Sequence, residues 1–186
     1  MSCISETESI ALTMRNHRAV VDLRQFVPSD APRVWALNNI PNVGHTADPT
    51  APPQLPTPAA PPREFPDLAD IEGSYFDAGG DFLIGEVDGH IVAMGGIRAN
   101  KPYRAEVNRV RVHPAFRRQG CGRALMAAWE NRARLLGFRE LHLDTATNQP
   151  EAVEFYRSLG YQEVGRESRP DWTWTLVYFT KQLSLP

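Results

Sequence analysis

The chain has 186 residues, with 20 lysines and arginines against 22 aspartates and glutamates, and its formal net charge is -2. This length suits one domain with a sizeable core, and the near-neutral charge gives little support to binding of a long nucleic-acid backbone. Two cysteines are too few for a disulfide framework, and the sequence shows neither a signal-peptide pattern nor an apolar run long enough to cross a membrane. We therefore expect a soluble, cytoplasmic protein that binds neither nucleic acid nor membrane.

The amino-terminal region combines a polar start with one strand and one short helix. Residues 1–18 are predicted to be flexible, and a single domain is expected to span residues 19–186. The alternating residues Ala19–Phe26 predict a strand. A short helix should follow, because Ser29 or Asp30 can cap its amino terminus.

A proline-rich stretch occupies residues 41–66. It holds nine of the sixteen prolines and few large apolar side chains, so it cannot form a packed helix or a central strand. We predict a long loop here. Two interpretations stay open, a disordered excursion and a lid over a substrate cleft.

The central region predicts a helix, a hairpin and a further strand. The helix covers Asp67–Phe76, and the hairpin turns at Asp88-Gly89 between two apolar runs. The next strand ends at His113-Pro114. Strict alternation would place its side chains on two faces, one with Val107, Arg109 and Arg111 and the other with Asn108, Val110 and Val112.

The carboxy-terminal region continues the alternation of helices and strands. It predicts a helix over 122–136, a strand over 139–145, a helix over 150–160 and one or two closing strands. Trp172 and Trp174 fall on one face of the last strand, where we expect core packing, with an acceptor-lining role as the alternative. The order of elements predicts an α/β fold with a mixed sheet flanked by helices.

The junction between the third central strand and the following helix has the features of an anion site. Gly120 and Gly122 let the backbone approach a ligand closely, and the first turn of a helix leaves N–H groups without intrahelical partners. Arg117, Arg118 and Arg123 add positive charge. The loop lacks the Lys-Ser/Thr pair of a Walker loop and the third glycine of a dinucleotide fingerprint.

This loop resembles the acetyl-CoA loop of the GNAT superfamily of N-acetyltransferases, whose pattern is Arg/Gln-x-x-Gly-x-Gly/Ala. The matching residues run from Arg117 to Gly122, after the segment VRVHPAF and before an amphipathic helix. The later segment NQPEAVEFYRSLGYQEVGR is similar to the family's next helix and strand. The resemblance is strong from about Phe82 to Arg166 and weaker before that.

The resemblance implies a GNAT fold, in which a mixed sheet contains a splayed strand pair that admits acetyl-CoA as cosubstrate. The backbone N–H groups of residues 118–123 would bind its pyrophosphate, and the strand edge at residues 110–112 would pair with its pantetheine amides. Asn148 is a further candidate, although one more residue separates it from the helix than in many members. The implied cofactor-binding residues are Val110, Arg111, Val112, Arg117, Arg118, Gln119, Gly120, Cys121, Gly122, Arg123, Asn148 and Tyr156.

Two residues are candidates for the chemistry of acetyl transfer, which needs a neutral amine and a proton for the departing thiolate. By the same resemblance, Tyr156 would be the proton donor, and a helix tyrosine that only packs is the alternative. Glu106 would be the base for the amine, and an ordinary exposed strand-end carboxylate is the alternative. Tyr161 begins the next strand and is expected in the core.

The expected activity is therefore transfer of an acetyl group from acetyl-CoA to a primary amine of a small molecule or peptide, by direct attack in a ternary complex. No metal is expected, because the histidines and cysteines show no ligand spacing. The acceptor and a homodimer are left open. The acidic residues Glu64, Asp67, Asp70 and Glu72 could attract a cationic acceptor or form a solvated face.

Two functions from other classes also stay open. One is a non-catalytic acyl-CoA-binding sensor with the same fold. The other is a nucleic-acid or phosphoprotein-binding module that uses the arginine loop, against which the charge balance argues.

Overall fold

The computed structural model describes residues 8–13, 18–44, 46–48, 55 and 60–184. These residues form three α-helices, α1 (Ala31–Asn38), α2 (Cys121–Leu135) and α3 (Pro150–Ser158). They also form eight strands, β1 (Glu8–Thr13), β2 (Arg18–Gln25), β3 (Asp81–Val87), β4 (His90–Lys101), β5 (Arg104–Val112), β6 (Glu140–Ala146), β7 (Gln162–Glu167) and β8 (Leu176–Gln182). One sheet contains all eight strands in the order β1-β2-β3-β4-β5-β6-β8-β7.

The sheet is mixed, as predicted, because β5 and β6 run parallel and the other neighbouring strands run antiparallel. Within residues 1–18, for which we predict flexibility, Glu8–Thr13 forms strand β1. Strand β1 pairs with the backbone groups of β2, which would otherwise form the sheet edge. Residues 1–7 and 14–17 lie outside the described part of the chain.

Two hydrophobic cores cover the two faces of the sheet. The first core lies between the sheet and α2 and α3, with the fully buried Trp129 and Leu125 of α2 at its centre. The second core lies on the other face, where α1 and residues 65–76 pack through Leu37 and Tyr75. Each large side chain buried in this way contributes about 1.5–3 kcal/mol to the stability of the fold.

The predicted helix Asp67–Phe76 is instead a 3₁₀ turn at Pro66–Leu68 followed by a single π-helical turn at Glu72–Phe76. The carboxylate of Asp70 accepts a hydrogen bond from the backbone N–H of Gly73 at 2.9 Å. This local bond and the flexible glycine compete with a regular α-helix. Within the predicted proline-rich loop, the described residues 41–44, 46–48, 55 and 60–65 form no helix or strand.

The turn and the two helix ends that glycines predicted are confirmed. Asp88 and Gly89 both have positive φ, 49° and 77°, as a two-residue type I′ turn requires. Gly137 and Gly160 follow the ends of α2 and α3 with φ of 85° and 84°.

Trp172 and Trp174 do not lie in the core, so that prediction is wrong. Both precede β8 in an irregular segment and remain partly exposed. Their rings stack on each other with centroids 4.1 Å apart, and the Arg169 guanidinium lies 4.5 Å from the Trp172 ring centroid. The alternation that predicted a longer strand holds only from Leu176 onwards.

Candidate active site

The expected separation of two neighbouring parallel strands is present between β5 and β6. Their pairing covers three residue pairs, the last of which joins Glu106 to His142. Beyond this pair, β5 continues to Val112 and β6 continues to Ala146 beside β8. The β5 edge after Glu106 is therefore open to an extended ligand, which can pair with it as an added strand would.

A β-bulge in β5, just beyond the point where β5 and β6 separate, changes the face on which the following side chains lie. Asn108 pairs with Gly96 and Arg111 pairs with Met94, while Arg109 adopts a positive φ of 57°. Gly95 of β4 permits this close packing, since a Cβ atom there would lie 2.6 Å from the Trp129 ring.

The predicted alternation of faces along β5 is therefore wrong. The bulge places Val110 and Val112 against the same core as Val107, instead of on the opposite face. Arg109 and Arg111 consequently share the second-core face.

The Arg109 side chain is fixed by a buried carboxylate. Its Nε and Nη2 atoms donate to the two Asp67 carboxylate oxygens at 2.8 and 2.9 Å, and its guanidinium lies 4.2 Å from the Phe65 ring centroid. The Tyr75 hydroxyl donates to Asp67 at 2.6 Å. Burial alone would raise the pKa of Asp67, but the hydrogen bonds from Arg109 and Tyr75 outweigh it and the pKa is lowered.

These contacts correct the interpretation of the acidic group near the proline-rich loop. Asp67 is buried and paired, so it is neither part of a solvated face nor free to attract a cation. The other three members, Glu64, Asp70 and Glu72, are exposed.

The turn before α2 exposes a row of backbone donors. Arg118 and Gly120 have positive φ of 61° and 94°, and the Ala124 N–H donates to the Gly120 carbonyl at 2.9 Å to close the first helical turn. In the described part of the chain, the backbone N–H groups of residues 118–123 have no hydrogen-bond acceptor. Such free donors at a helix start, with the positive end of the helix dipole, suit a phosphate group.

The polar side chains of this turn have different surroundings. Gln119 donates to the Ala115 carbonyl at 2.6 Å, whereas Arg118 and Arg123 are exposed beside the free amides. Cys121 is buried, and burial raises its thiol pKa to about 12. Because the thiol therefore stays protonated, Cys121 contributes its backbone rather than a reactive sulfur.

Arg117 connects the proline-rich loop to the end of β5. Its guanidinium donates to the Val112 carbonyl at 3.2 Å and to the carbonyls of Pro41 and Asn42 at 3.4 Å. Burial lowers its pKa, and the charge of Glu151 at the start of α3 partly offsets this effect. The first residues of the loop therefore lie beside the turn that carries the free amides.

Tyr156 is a buried residue of α3. It is 7% exposed and packs against Phe155 and Phe179, with ring centroids 5.3 and 6.1 Å away. Burial raises the pKa of its phenol, the charge of Asp144 raises it further, and the charge of Arg111 lowers it. The hydroxyl is therefore protonated at neutral pH and lies within electrostatic range of both separating strands. The neighbouring Tyr161 lies in the core, as predicted, and is 3% exposed.

Glu106 lies where the two strands separate, and a second carboxylate lies beyond it. The Asn108 side chain donates to Glu106 at 3.2 Å, and the Arg98 guanidinium lies 3.5 Å from the same oxygen. Asp144 of β6 is solvent-accessible, yet the surrounding protein, together with the charge of Glu106, raises its pKa. The sequence analysis missed Asp144, because only the register between β5 and β6 reveals its position relative to Glu106.

The remaining candidate, Asn148, is exposed in the turn between β6 and α3. Among the described residues, no group of three or more histidines, cysteines, aspartates or glutamates is placed to hold a metal ion. Within the same residues, every helix is too short or too polar to cross a membrane.

Comparison with known proteins gives consistent matches. Residues 47–161 match the model of the acetyltransferase (GNAT) family. Human N-acetyltransferase 8 is 32% identical over 106 residues, which cover 54% of this chain and 47% of that protein. The chain thus spans about half the length of the curated relatives it matches.

Solved structures share the fold at low sequence identity. An acetyltransferase of the GNAT family from Staphylococcus aureus aligns with a TM-score of 0.70 at 17% identity, covering 88% of this chain and 99% of that one. A phosphinothricin acetyltransferase from Sinorhizobium meliloti, solved in complex with acetyl-CoA, aligns with a TM-score of 0.68 at 17% identity and 88% coverage of both chains.

Proposed function

This chain belongs to the acetyltransferase (GNAT) family, and we propose that it transfers an acetyl group from acetyl-CoA to a primary amine of a small molecule or peptide. The observation that carries this proposal is the open edge of β5 leading to the free amides of residues 118–123. An extended acyl donor with a phosphate group at one end matches both features.

The donor site combines backbone and side-chain groups of this chain. The free N–H groups of residues 118–123 would bind the pyrophosphate, and the exposed Arg118 and Arg123 side chains add positive charge. The edge of β5 at residues 110–112 would pair with the pantetheine amides. The thioester would then lie near Tyr156, whose phenol is within electrostatic range of Asp144 of β6 and Arg111 of β5.

The reaction that we propose is direct attack of the amine on the thioester within a ternary complex. A carbon–nitrogen bond forms and the carbon–sulfur bond breaks, so the amine loses one proton and the departing sulfur gains one. Tyr156, whose phenol is protonated, supplies the proton to the sulfur. Glu106, oriented by Asn108, accepts the amine proton directly or through water.

An acyl-CoA-binding sensor without turnover is the alternative that experiment must exclude. Acetyl-CoA at about 100 times its dissociation constant should stabilise the folded protein by about 2.7 kcal/mol in either case. The functions differ in turnover, measured as free thiol released from acetyl-CoA over a panel of amines, amino acids and peptides. Amine-dependent thiol release supports the enzyme. Stabilisation by acetyl-CoA without thiol release in the presence of any amine supports the sensor. If acetyl-CoA neither stabilises the protein nor releases thiol, both functions are contradicted.

A further inference from the structure

Arg111 projects from β5 on the face that carries the candidate base. It pairs with Met94, whose side chain belongs to the second core, and its neighbours Val110 and Val112 pack against the first core. Its side chain therefore lies on the second-core face, as does Glu106, whose β4 partner Arg98 lies over the Tyr75 ring.

The Arg111 guanidinium lacks a carboxylate partner among the described residues. Its Nη1 atom donates to the Val110 carbonyl at 3.2 Å, whereas its Nε atom is buried without an acceptor in the same part of the chain. Burial, the charge of Arg109 and the charge of Arg117 together lower the pKa of Arg111 to about 10, against a raising effect of Tyr156, so the group remains charged at neutral pH. A half-buried guanidinium that has no carboxylate partner and one fully buried, unpaired nitrogen is costly, so a ligand that supplies a carboxylate would stabilise it.

Arg109 shows which kind of partner an arginine on this face of β5 binds. Its Nε and Nη2 atoms form one edge of the guanidinium and hold both oxygens of the Asp67 carboxylate. The corresponding edge of Arg111 carries the unpaired Nε atom. A carboxylate is the ligand that fits such an edge with two parallel hydrogen bonds.

Charges of opposite sign surround the opening. Glu106 forms the last β5–β6 pair with His142, Arg111 lies beyond it on β5, and Asp144 lies beyond His142 on β6. The two separating strands therefore carry carboxylates and a guanidinium without a carboxylate partner, and the charges of Asp144 and Arg111 have opposite effects on the pKa of the Tyr156 phenol. An acceptor with an ammonium and a carboxylate close together matches this distribution, whereas Arg111 would repel a purely cationic polyamine.

We propose that the acceptor is an amino acid or a related amine that bears a carboxylate, and that Arg111 binds this carboxylate. The proposal rests on the acetyltransferase function proposed above. It makes Arg111 a specificity-determining residue through its side chain, in addition to any backbone contact of β5 with the cosubstrate.

The test compares kcat/KM for amino acids with kcat/KM for their carboxamides, which keep the amine and the side chain. The unmodified protein should prefer the acids at least tenfold. Arg111→Gln should lower this acid-to-amide ratio by about 10- to 100-fold, the usual effect of losing a hydrogen-bonded charge partner. Arg111→Lys keeps the charge without the planar edge and should restore part of the preference.

Arg139→Gln is the matched control, because it removes the same charge from an exposed position near the paired end of β5 and β6 and should keep the acid-to-amide ratio. Equal rates for acids and amides in the unmodified protein, or an unchanged preference in Arg111→Gln, would overturn the inference. An equal loss with acids and amides together with a raised KM for acetyl-CoA would instead assign the Arg111 side chain to the cosubstrate.

Transfer to no acceptor would overturn the proposed function. In that case the melting temperature of the CoA-saturated protein with amino acids and with their amides still decides the inference. A larger shift with the acids that Arg111→Gln abolishes supports it, and equal shifts contradict it.

Discussion

Glu106 and His142 form the last residue pair between β5 and β6, and the two strands separate immediately beyond them. A carboxylate thus lies where the backbone edge of β5 becomes free. Because β6 pairs with β8 along its whole length, the separation does not leave β6 unsupported. The sheet can therefore keep an open cleft without losing its order, and the candidate base lies at the closed end of that cleft.

The first prediction concerns the phosphate-binding turn. Gly120→Val should weaken acetyl-CoA binding, because the glycine has φ of 94° and a β-branched residue there strains the backbone by about 1–3 kcal/mol and moves the free amides. Isothermal titration with acetyl-CoA measures the effect. Gly89→Val is the matched control, since Gly89 has φ of 77° in the remote hairpin and should lose stability without losing affinity. If Gly120→Val bound acetyl-CoA with the same affinity as the parent, the phosphate-binding site would lie elsewhere in the protein.

The second prediction concerns the proton donor. Tyr156→Phe should lower kcat by about 10²- to 10⁴-fold with little change in acetyl-CoA affinity, because it removes only the hydroxyl and keeps the ring packing. Tyr161→Phe serves as the control: its hydroxyl is also buried and has no partner among the described residues, so its loss should leave kcat unchanged. If Tyr156→Phe retained full turnover, Tyr156 would be a packing residue.

The third prediction separates the two carboxylates at the cleft. Glu106→Gln should lower the rate at neutral pH and recover as the pH approaches the amine pKa, near 10.4 for an alkylamine, because a neutral amine needs no base. Asp144→Asn should have the smaller effect, since Asn108 orients Glu106 but no described residue hydrogen-bonds to Asp144. A larger, pH-dependent loss in Asp144→Asn would instead make Asp144 the base.

Local patterns predicted most of the architecture, because glycine turns, helix ends and apolar alternation act over a few residues. The Asp88-Gly89 hairpin and the α2 and α3 ends are confirmed, and so is the separated strand pair that the family resemblance implied. The bulge at Arg109 could not be predicted in the same way, since it depends on the fit between Gly95 and Trp129 across two elements. Its effect is large, because one extra residue reverses the face of every later side chain in β5.

In the candidate active site, too, local sequence predicted features formed by adjacent residues but not contacts between distant segments. The glycine turn was recognisable from adjacent residues, and its free amides fit the expected role. Asp144 and the Arg109–Asp67 pair depend on contacts between distant segments, so only the folded chain brings them together. Arg111 was expected to contribute its backbone edge, and only the folded chain shows that its Nε atom is unpaired and that no described neighbour supplies a carboxylate.

The last prediction concerns the buried pair that holds the bulge. Asp67→Asn should destabilise the protein, because it leaves the Arg109 charge without its partner. The usual cost of removing one member of a buried ion pair, about 3–5 kcal/mol, is an upper bound here, since the Arg109 side chain keeps 24% of its surface exposed. The double variant Asp67→Asn/Arg109→Gln should lose less free energy of unfolding than the two single variants lose in total, because it leaves no charge unpaired.

The pair should also make the stability depend on acid pH. The pKa of Asp67 is lower in the folded protein than in the unfolded chain, so the pair stabilises the fold fully above the unfolded value of about 3.9. That contribution is lost as the pH falls through the lowered folded-state pKa. Urea unfolding of the parent and Asp67→Asn from pH 7 down to pH 2 should therefore show a stability difference that is constant at first and shrinks below about pH 4. A difference that stays constant to the lowest pH would mean that the charge of Asp67 does not stabilise the fold, and that the lost stability comes from packing alone.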